Sequence, residues 1–194
     1  MVCGKAIRLF RGCHWPQKRT EELSAYYEYK GECHKSIGKV GNYEGIAVKI
    51  HEIRERPAML VQQLLQVWEK SVRATHLFLS DKEVKAIKYY VPQALSAVAH
   101  LLIAENKAGM PVAFMGVEDG VLEMLFILPE ERGKGLGKQL IHLGIENYGV
   151  ERLAVNEQNP QAKGFYEHMG FRVYKRTETD GQGNPYPLLH MSRK

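Results

Sequence analysis

Glycines and basic residues are concentrated in one short segment of the second half of the chain. The segment consists of Arg132, Gly133, Lys134, Gly135, Leu136 and Gly137, and Lys138 follows it. Glycines let backbone N–H groups approach an anion without obstruction by side chains. A helix that begins there adds the partial positive charge of its N-terminus, and Arg132 and Lys138 add full charges. The pattern indicates a phosphate or pyrophosphate site; the alternative is a tight strand-to-helix turn without a ligand.

Two common nucleotide-binding motifs do not fit this segment. The Walker motif requires serine or threonine after its lysine, but Lys138 is followed by Gln139. The dinucleotide fingerprint requires a third glycine where this chain has Lys138, although Gly133 and Gly135 match the first two. Both mismatches weaken the interpretation as a nucleoside triphosphate or dinucleotide site.

A second group of polar and aromatic residues follows about twenty positions later. Asn156 ends a predicted strand, Asn159 comes three residues on, and Phe165 and Tyr166 lie on the next predicted helix. Amide side chains at a strand end can donate to and accept from a ligand with several amide groups. The alternative, that the aromatic rings are core residues, is favoured for Phe165.

Hydrophobic periodicity predicts one mixed α/β unit beyond residue 47. Alternating apolar residues predict strands over residues 46–53, 100–105, 112–117, 121–128, 150–156, 171–177 and 188–192. Helical spacing and capping residues predict helices over residues 60–72, 80–90, 137–147 and 161–169. This order is neither a repeat array nor a run of regular βαβ units.

The composition argues against several classes of protein. The net charge is +5, but residues 1–47 hold 8 Lys or Arg against 5 Asp or Glu, and the rest holds 19 against 17. Because the excess in the main domain is mild, we expect no nucleic-acid partner. No apolar run approaches the roughly 20 residues of a membrane span, and no signal-peptide pattern is present. We expect a cytoplasmic protein with no membrane partner.

Residues 1–47 are predicted to form a poorly ordered N-terminal extension of unknown role. They carry all three cysteines: Cys3, and two Cys-His pairs at Cys13-His14 and Cys33-His34. Four such ligands could hold zinc, but adjacent cysteine and histidine do not have the usual chelate spacing. We therefore expect no metal. An alternative is that the segment is translated sequence upstream of the true start.

The two polar segments together resemble the GNAT superfamily of N-acetyltransferases. Its signature Arg/Gln-x-x-Gly-x-Gly/Ala is matched at Arg132, Gly135 and Gly137. Its second signature, Asn…Asn-x-x-Ala-x-x-Phe-Tyr…Gly-Phe, is matched at Asn156, Asn159, Ala162, Phe165, Tyr166, Gly170 and Phe171. Segments 68–79 and 180–189 resemble the bacterial YjaB-like subgroup more narrowly. The resemblance covers residues 48–194.

The resemblance implies a fold and a coenzyme. The fold would be a central, mostly antiparallel mixed sheet that splays at the coenzyme site and is flanked by helices. Acetyl-CoA would be the acetyl donor, and its pantetheine arm would pair with the backbone of Phe126, Ile127 and Leu128. Amides of residues 133–138 would hold the pyrophosphate, and Asn156 and Asn159 would contact the coenzyme.

The resemblance also implies how protons move. Tyr166 would protonate the departing thiolate, a role that suits a phenol beside a thiol whose pKa is about 8.5. The acceptor amine, with a pKa of about 10.4, must lose a proton. Glu123 is one candidate base, unless it is only a rim residue. His76 is the other, and a water chain is a third possibility. His76 and Trp68 are predicted to bind the acceptor.

We therefore predict an N-acetyltransferase that moves the acetyl group of acetyl-CoA to a primary amine by direct attack in a ternary complex. The acceptor would be a small-molecule or peptide amine, and the protein a monomer or homodimer. The alternative is a catalytically weak acyl-CoA-binding module that acts through interaction.

Overall fold

The structure is a computed structural model that describes residues 48–193, so the predictions for residues 1–47 lie outside the described residues. Its elements follow in chain order: Lys49–Ile53 (β1), Ala58–Thr75 (α1), Asp81–Ala97 (α2), His100–Glu105 (β2), Pro111–Glu118 (β3), Val121–Ile127 (β4), a 3₁₀ turn at Pro129–Glu131, Leu136–Tyr148 (α3), Arg152–Asn156 (β5), Pro160–His168 (α4), Arg172–Thr177 (β6) and Leu188–Ser192 (β7).

The strands form one seven-stranded sheet in the order β1-β2-β3-β4-β5-β7-β6. All neighbouring pairs are antiparallel except β4 and β5. The parallel pair is short, because it joins only Val121 to Arg152 and Leu122 to Leu153. The expected mixed, mostly antiparallel sheet is therefore confirmed, with its one parallel junction in the middle.

Helices cover both faces of the sheet because the strands are apolar on both faces. On β3, Phe114 packs with the residues of α1 and α2, whereas its neighbours Ala113 and Met115 pack with α3 and α4. Trp68 of α1 and Leu140 of α3 are each at most 2% exposed on their respective sides. This alternation is what a sheet buried on both faces requires, and it confirms the expected flanking helices.

A β-bulge interrupts β4 at the residue predicted as a base. Met124 pairs with Gly116, but the next registered pair is Leu122 with Val117, so Glu123 is the extra residue on β4. A bulge resets the alternation of side chains along a strand. The strict alternation of side chains predicted for a strand over residues 121–128 therefore does not hold across Glu123.

Helix α2 is longer than its sequence pattern predicts. It was expected to end near Tyr90, but it continues through Pro92 to Ala97, so the predicted boundary is wrong. The added turns bury Val91 and Leu95 in the core on the α1 side, and that burial outweighs the local effect of proline. None of the helices within residues 48–193 is long and apolar enough to cross a lipid bilayer.

The extended helix ends on a side chain from far earlier in the chain. The guanidinium of Arg56 donates to the carbonyls of Leu95 at 2.8 Å, Ser96 at 2.7 Å and Val98 at 2.6 Å. Carbonyls at a helix C-terminus lack partners within the helix. Arg56 supplies those partners and so fixes the position at which α2 ends.

Candidate active site

Strands β4 and β5 diverge after their short parallel pairing, leaving a gap that we call the strand gap. The N–H of Leu128 donates to the carbonyl of Val112 at 2.9 Å. The N–H and C=O groups of successive residues alternate in direction along an antiparallel pair. Those of Phe126 and Leu128 therefore point toward β3, whereas those of Leu125 and Ile127 point toward the strand gap. Of the three residues predicted to pair with the pantetheine arm, Ile127 alone has its backbone on that side.

The glycine turn places the start of α3 beside the strand gap. Gly133 and Gly135 have φ of 75° and 85°, which favour glycine. Gly135 is the N-cap of α3, which has neither a side-chain cap nor an acidic residue in its first turn. A Cβ on Gly137 would lie 3.1 Å from Ile127 and 3.3 Å from Phe165. The turn therefore presents uncapped amides at close range, as an anion site requires.

The side chain of Arg132 joins two elements rather than extending into solvent. Its Nη2 donates to the Ser71 hydroxyl at 2.9 Å, to the Ser71 carbonyl at 3.1 Å and to the Ile127 carbonyl at 3.3 Å. The Ser71 hydroxyl also donates to the Ile127 carbonyl at 2.9 Å. This cluster ties α1 to the end of β4, so the geometry gives the guanidinium a positioning role beside the predicted pyrophosphate site.

The two lysines of the turn are placed differently. Lys134 forms an ion pair with Glu131 at 3.1 Å. Lys138 is exposed on the first turn of α3 and has no ion pair within residues 48–193. Lys138 is therefore the cation of this segment whose charge is most available to an anion at the turn.

The two asparagines each leave one buried polar atom without a partner in the described part of the chain. Asn159 is 3% exposed, and its Oδ1 caps α4 by accepting from Ala162 N–H at 3.1 Å, which leaves Nδ2 without a hydrogen bond. Oδ1 of Asn156 is likewise buried without one. Buried polar atoms normally have partners, so both atoms indicate a ligand between α4 and the strand gap.

Tyr166 lies on α4 and is completely buried. Its ring packs edge-on against Phe165 and Phe171, with centroids 5.1 and 6.1 Å away. Its hydroxyl has no hydrogen-bond partner within residues 48–193. Burial raises the pKa of the phenol well above its ordinary value. The hydroxyl therefore remains protonated and is free to donate.

A cavity of about 260 Å³ opens on the α1–α2 side of the sheet, and we call it the acceptor cavity. Its walls come from α1, the turn after it, α2, β4, β5 and the β6–β7 loop. The lining residues are Trp68, Val72, His76, Phe78, Leu79, Glu83, Ala86, Ile87, Tyr90, Phe126, Asn156, Asp180, Gln182, Asn184 and Tyr186. The two residues predicted to bind the acceptor, Trp68 and His76, thus lie together in one cavity.

His76 lines the acceptor cavity and is neutral. The Thr75 hydroxyl donates to the Ser71 carbonyl at 2.8 Å, so it can only accept from Nδ1 of His76 at 3.0 Å. The ring proton is thereby assigned to Nδ1, and Nε2 carries a lone pair. Burial lowers the pKa of His76 to about 4, and the charge of Arg132 adds to this effect.

Glu123 is not brought together with the other predicted residues. It is 2% exposed and sits at the β4 bulge, but it does not line the acceptor cavity. A proton passing from the cavity to Glu123 would therefore need an intervening carrier. Its role as the base stays a prediction.

Sequence reasoning missed several residues of the acceptor cavity. Ser80 and Glu83 form a capping box at the start of α2. The contact of this box with Tyr186, which donates to Glu83 from 103 positions away, was not predicted. Phe78 bridges the two sides, with its ring 5.4 Å from His76 and 5.5 Å from Tyr186. The sequence signal for these residues was that segments 68–79 and 180–189, which contain Phe78 and Tyr186, both resemble the YjaB-like subgroup.

We expect the stability of the fold to depend on pH through His76. Its pKa is about 6.5 when unfolded and about 4 when folded, so the unfolded state binds an extra proton between these values. Stability falls as the pH drops from 7.5 to 5, by about 2 kcal/mol from this residue. Urea unfolding of wild type and of His76→Gln at pH 7.5 and pH 5 measures this fall in stability. His168→Gln, at an exposed site on α4, should keep the pH dependence of stability seen in the wild type. An unchanged pH dependence in His76→Gln would refute the attribution of this effect to His76.

Gly133→Ala should separate backbone strain from anion binding. Gly109 has a similar φ of 73°, and a Cβ meets no atom within 4 Å at either glycine, so both alanine variants should lose about 1–2 kcal/mol of stability. Only Gly133→Ala should also weaken binding of coenzyme A, by about tenfold, because alanine disfavours the positive φ that aims the amides of the turn at the anion, and a shifted backbone weakens a charge-assisted hydrogen bond. Calorimetric titration and thermal unfolding measure the two effects. Equal coenzyme affinity in both variants would contradict a pyrophosphate site here.

Known proteins share the sequence pattern and the fold of this chain. Residues 70–193 match the model of the acetyltransferase (GNAT) domain family. A relative named peptidyl-lysine N-acetyltransferase YjaB, from Salmonella typhimurium, is 40% identical over 130 residues, which cover 67% of this chain and 89% of the relative.

Two solved structures share the fold. The apo-form solution structure of YjaB from Escherichia coli is 36% identical with a TM-score of 0.68, covering 76% of this chain and 97% of that one. The PaiA N-acetyltransferase of Thermoplasma acidophilum, solved with coenzyme A, is 20% identical with a TM-score of 0.58, covering 77% of this chain and all of that one. By its sequence match, its fold and its glycine turn, this chain belongs to the GNAT acetyltransferase family.

Proposed function

We propose that this chain transfers the acetyl group of acetyl-CoA to the primary amine of a lysine side chain, by direct attack in a ternary complex. The observation that carries the proposal is that the strand gap and the acceptor cavity share walls. Phe126 lies in the diverging part of β4, Asn156 ends β5, and both line the cavity. A donor in the gap and an amine in the cavity would therefore meet directly. The name of the Salmonella relative supports lysine as the acceptor.

The residues at the strand gap fit acetyl-CoA, the donor that the family uses. When bound, it supplies the acetyl group as a thioester. The N–H of Ile127 would donate to its pantetheine arm, because the Ile127 carbonyl already accepts from Ser71 and Arg132, and the amides of residues 133–138 would hold its pyrophosphate. Nδ2 of Asn159 would donate to the arm, and Asn156 would lie where donor and acceptor meet. Within residues 48–193, no group of three or more His, Cys, Asp or Glu side chains is arranged to hold a metal.

His76 would position the amine rather than take the first proton from it. Direct proton transfer from an ammonium with a pKa of about 10.4 to a histidine with a pKa of about 4 would cost about 9 kcal/mol. The amine therefore loses its first proton to solvent, through a water chain or with the help of Glu123. Nε2 of His76 then accepts a hydrogen bond from the neutral amine. Being uncharged, the ring does not repel the incoming cation.

Tyr166 would serve as the proton donor to the leaving thiolate. Its hydroxyl donates to nothing else within residues 48–193, so it can donate a hydrogen bond to the sulfur as negative charge develops there. Burial raises the pKa of the phenol and so disfavours full proton transfer to a free thiolate, so the contribution of Tyr166 is made while the carbon–sulfur bond breaks. Asn159 and Tyr166 lie on the same short helix, whose first turn is fixed by the Asn159 cap. This arrangement would hold the hydroxyl in place once the coenzyme arm is bound.

The test of the proposed function is acetyl transfer to a panel of amines. Wild-type protein with acetyl-CoA and a lysine peptide blocked at both ends should release thiol, and the peptide should gain the mass of one acetyl group. Binding of acetyl-CoA with only background hydrolysis across the panel would favour the alternative, an acyl-CoA-binding module. A cytoplasmic location, a monomer or homodimer, and the lack of a nucleic-acid partner stay predictions.

Tyr166→Phe should lower turnover by about 100-fold, the scale of a lost general acid, with little change in the affinity for acetyl-CoA. Because the hydroxyl has no protein partner in the described chain, its removal should not lower the melting temperature. Steady-state kinetics and calorimetric titration measure the two quantities. Tyr174→Phe, at a residue 59% exposed on β6, should change neither; equal losses of turnover and affinity in Tyr166→Phe would refute the acid role.

A further inference from the structure

We propose that the acceptor carries a second positive charge beside its reacting amine, and that the carboxylates of Glu83 and Asp180 bind this charge at the mouth of the acceptor cavity. The inference rests on the proposed function and describes its acceptor more closely. The acceptor would be a lysine with a basic neighbour in a peptide, or a small diamine that presents the same chemistry.

The acceptor cavity has a buried floor and an exposed mouth. Trp68, His76 and Phe126 on its floor are 2%, 6% and 1% exposed. Gln182 and Asn184, from the β6–β7 loop, line the same cavity and are exposed. Since Phe126 borders the strand gap, the reacting amine must reach the floor, and the remainder of the acceptor must lie at the mouth.

The charged residues that line the cavity are acidic. Among residues 48–193, the lining contains two carboxylates, Glu83 and Asp180, and no lysine or arginine, and its histidine is neutral. The chain as a whole has a net charge of +5, so this acidic lining is not a consequence of composition. Lys82 and Lys85 are exposed on the same helix as Glu83, but they do not line the cavity.

Both carboxylates are held in place by neutral donors. Glu83 accepts from the Ser80 hydroxyl at 2.5 Å, from the Tyr186 hydroxyl and from the backbone N–H of Ser80 at 2.7 Å, and these hydrogen bonds keep its pKa below the ordinary value. Asp180 accepts from the backbone of Gln182 at 2.8 Å and of Asn184 at 2.9 Å. Neither carboxylate forms an ion pair with a lysine or arginine within residues 48–193. Their charges are fixed in position and available to a cationic ligand.

The walls join the mouth to the floor and limit what can enter. The rings of His76, Phe78 and Tyr186 follow one another at 5.4 and 5.5 Å, and Tyr186 contacts Glu83. The cavity of about 260 Å³ is slightly smaller than the roughly 300–1,000 Å³ of pockets for drug-sized ligands. It therefore suits one alkylamine stem between apolar and aromatic walls, with the second charge outside near the carboxylates.

The experiment compares matched acceptors that differ in the second charge. Three peptides blocked at both ends carry a central lysine flanked by arginine, glutamine or glutamate, and pentane-1,5-diamine is compared with pentylamine. We expect kcat/KM to be about two- to fivefold higher for the arginine-flanked peptide than for the glutamine-flanked one, the effect of one partly exposed ion pair. The diamine arm should show the same preference over the monoamine if small acceptors use this site. A larger kcat/KM for the arginine-flanked peptide than for the diamine identifies the acceptor as a lysine in a peptide, and the reverse identifies it as a small diamine.

Two isosteric variants connect the preference to the carboxylates. Glu83→Gln keeps the capping box, because glutamine also suits this position, and Asp180→Asn keeps an acceptor for the loop amides. Each should reduce the ratio of the kcat/KM values within a pair toward one. Asp81→Asn is the control, because it removes a charge two residues from Glu83 on a side chain that pairs with Arg73 and does not line the cavity. It should keep the wild-type ratio.

The outcomes separate this inference from the proposed function. Transfer to all acceptors at similar rates would overturn the inference and leave the proposed function intact. A preference that survives both Glu83→Gln and Asp180→Asn would also overturn it. If no acceptor is acetylated although acetyl-CoA binds, the proposed function itself is wrong, and the inference falls with it.

Discussion

The short parallel pairing of β4 and β5 is the constraint on which the site depends. Parallel strands require a crossover, and here the crossover is the glycine turn followed by α3. Because only two residue pairs join the strands, β4 is free to leave β5 before it ends at Ile127. The same crossover brings the uncapped start of α3 to the place where the strands separate. An open strand edge and a helix N-terminus thus arise together from one topological feature.

The two halves of the site lie on elements that are bound to each other. Ser71 of α1 and Arg132 of the glycine turn both donate to the carbonyl of Ile127. One face of α1 also carries Trp68 and Val72, which line the acceptor cavity. A shift of α1 would therefore displace the end of β4 and the glycine turn. This cluster gives a physical reason why donor and acceptor sites keep a fixed relation.

Burial and charge divide the acceptor cavity into two environments. At the floor, desolvation keeps His76 neutral, so its ring carries no charge there. At the mouth, hydrogen bonds from Ser80 and Tyr186 keep Glu83 ionised. In the proposed reaction, a cationic acceptor would be attracted to the solvated mouth and would react at the dry floor. The apolar rings between these ends favour an alkyl stem over a polar one.

The sequence by itself determined the order and type of the elements, and it predicted the donor site. Both follow from local signals: period-2 and period-3.6 patterns, a capping box, and a glycine turn whose predicted anion contacts come from backbone amides adjacent in sequence. The tertiary structure decided the end of α2, the bulge at Glu123 and the composition of the acceptor cavity. Each depends on partners distant in sequence, such as Arg56 with Leu95 or Tyr186 with Glu83. Burial also depends on the whole fold, so only the structure shows that His76 is neutral and that Tyr166 lacks a partner within residues 48–193.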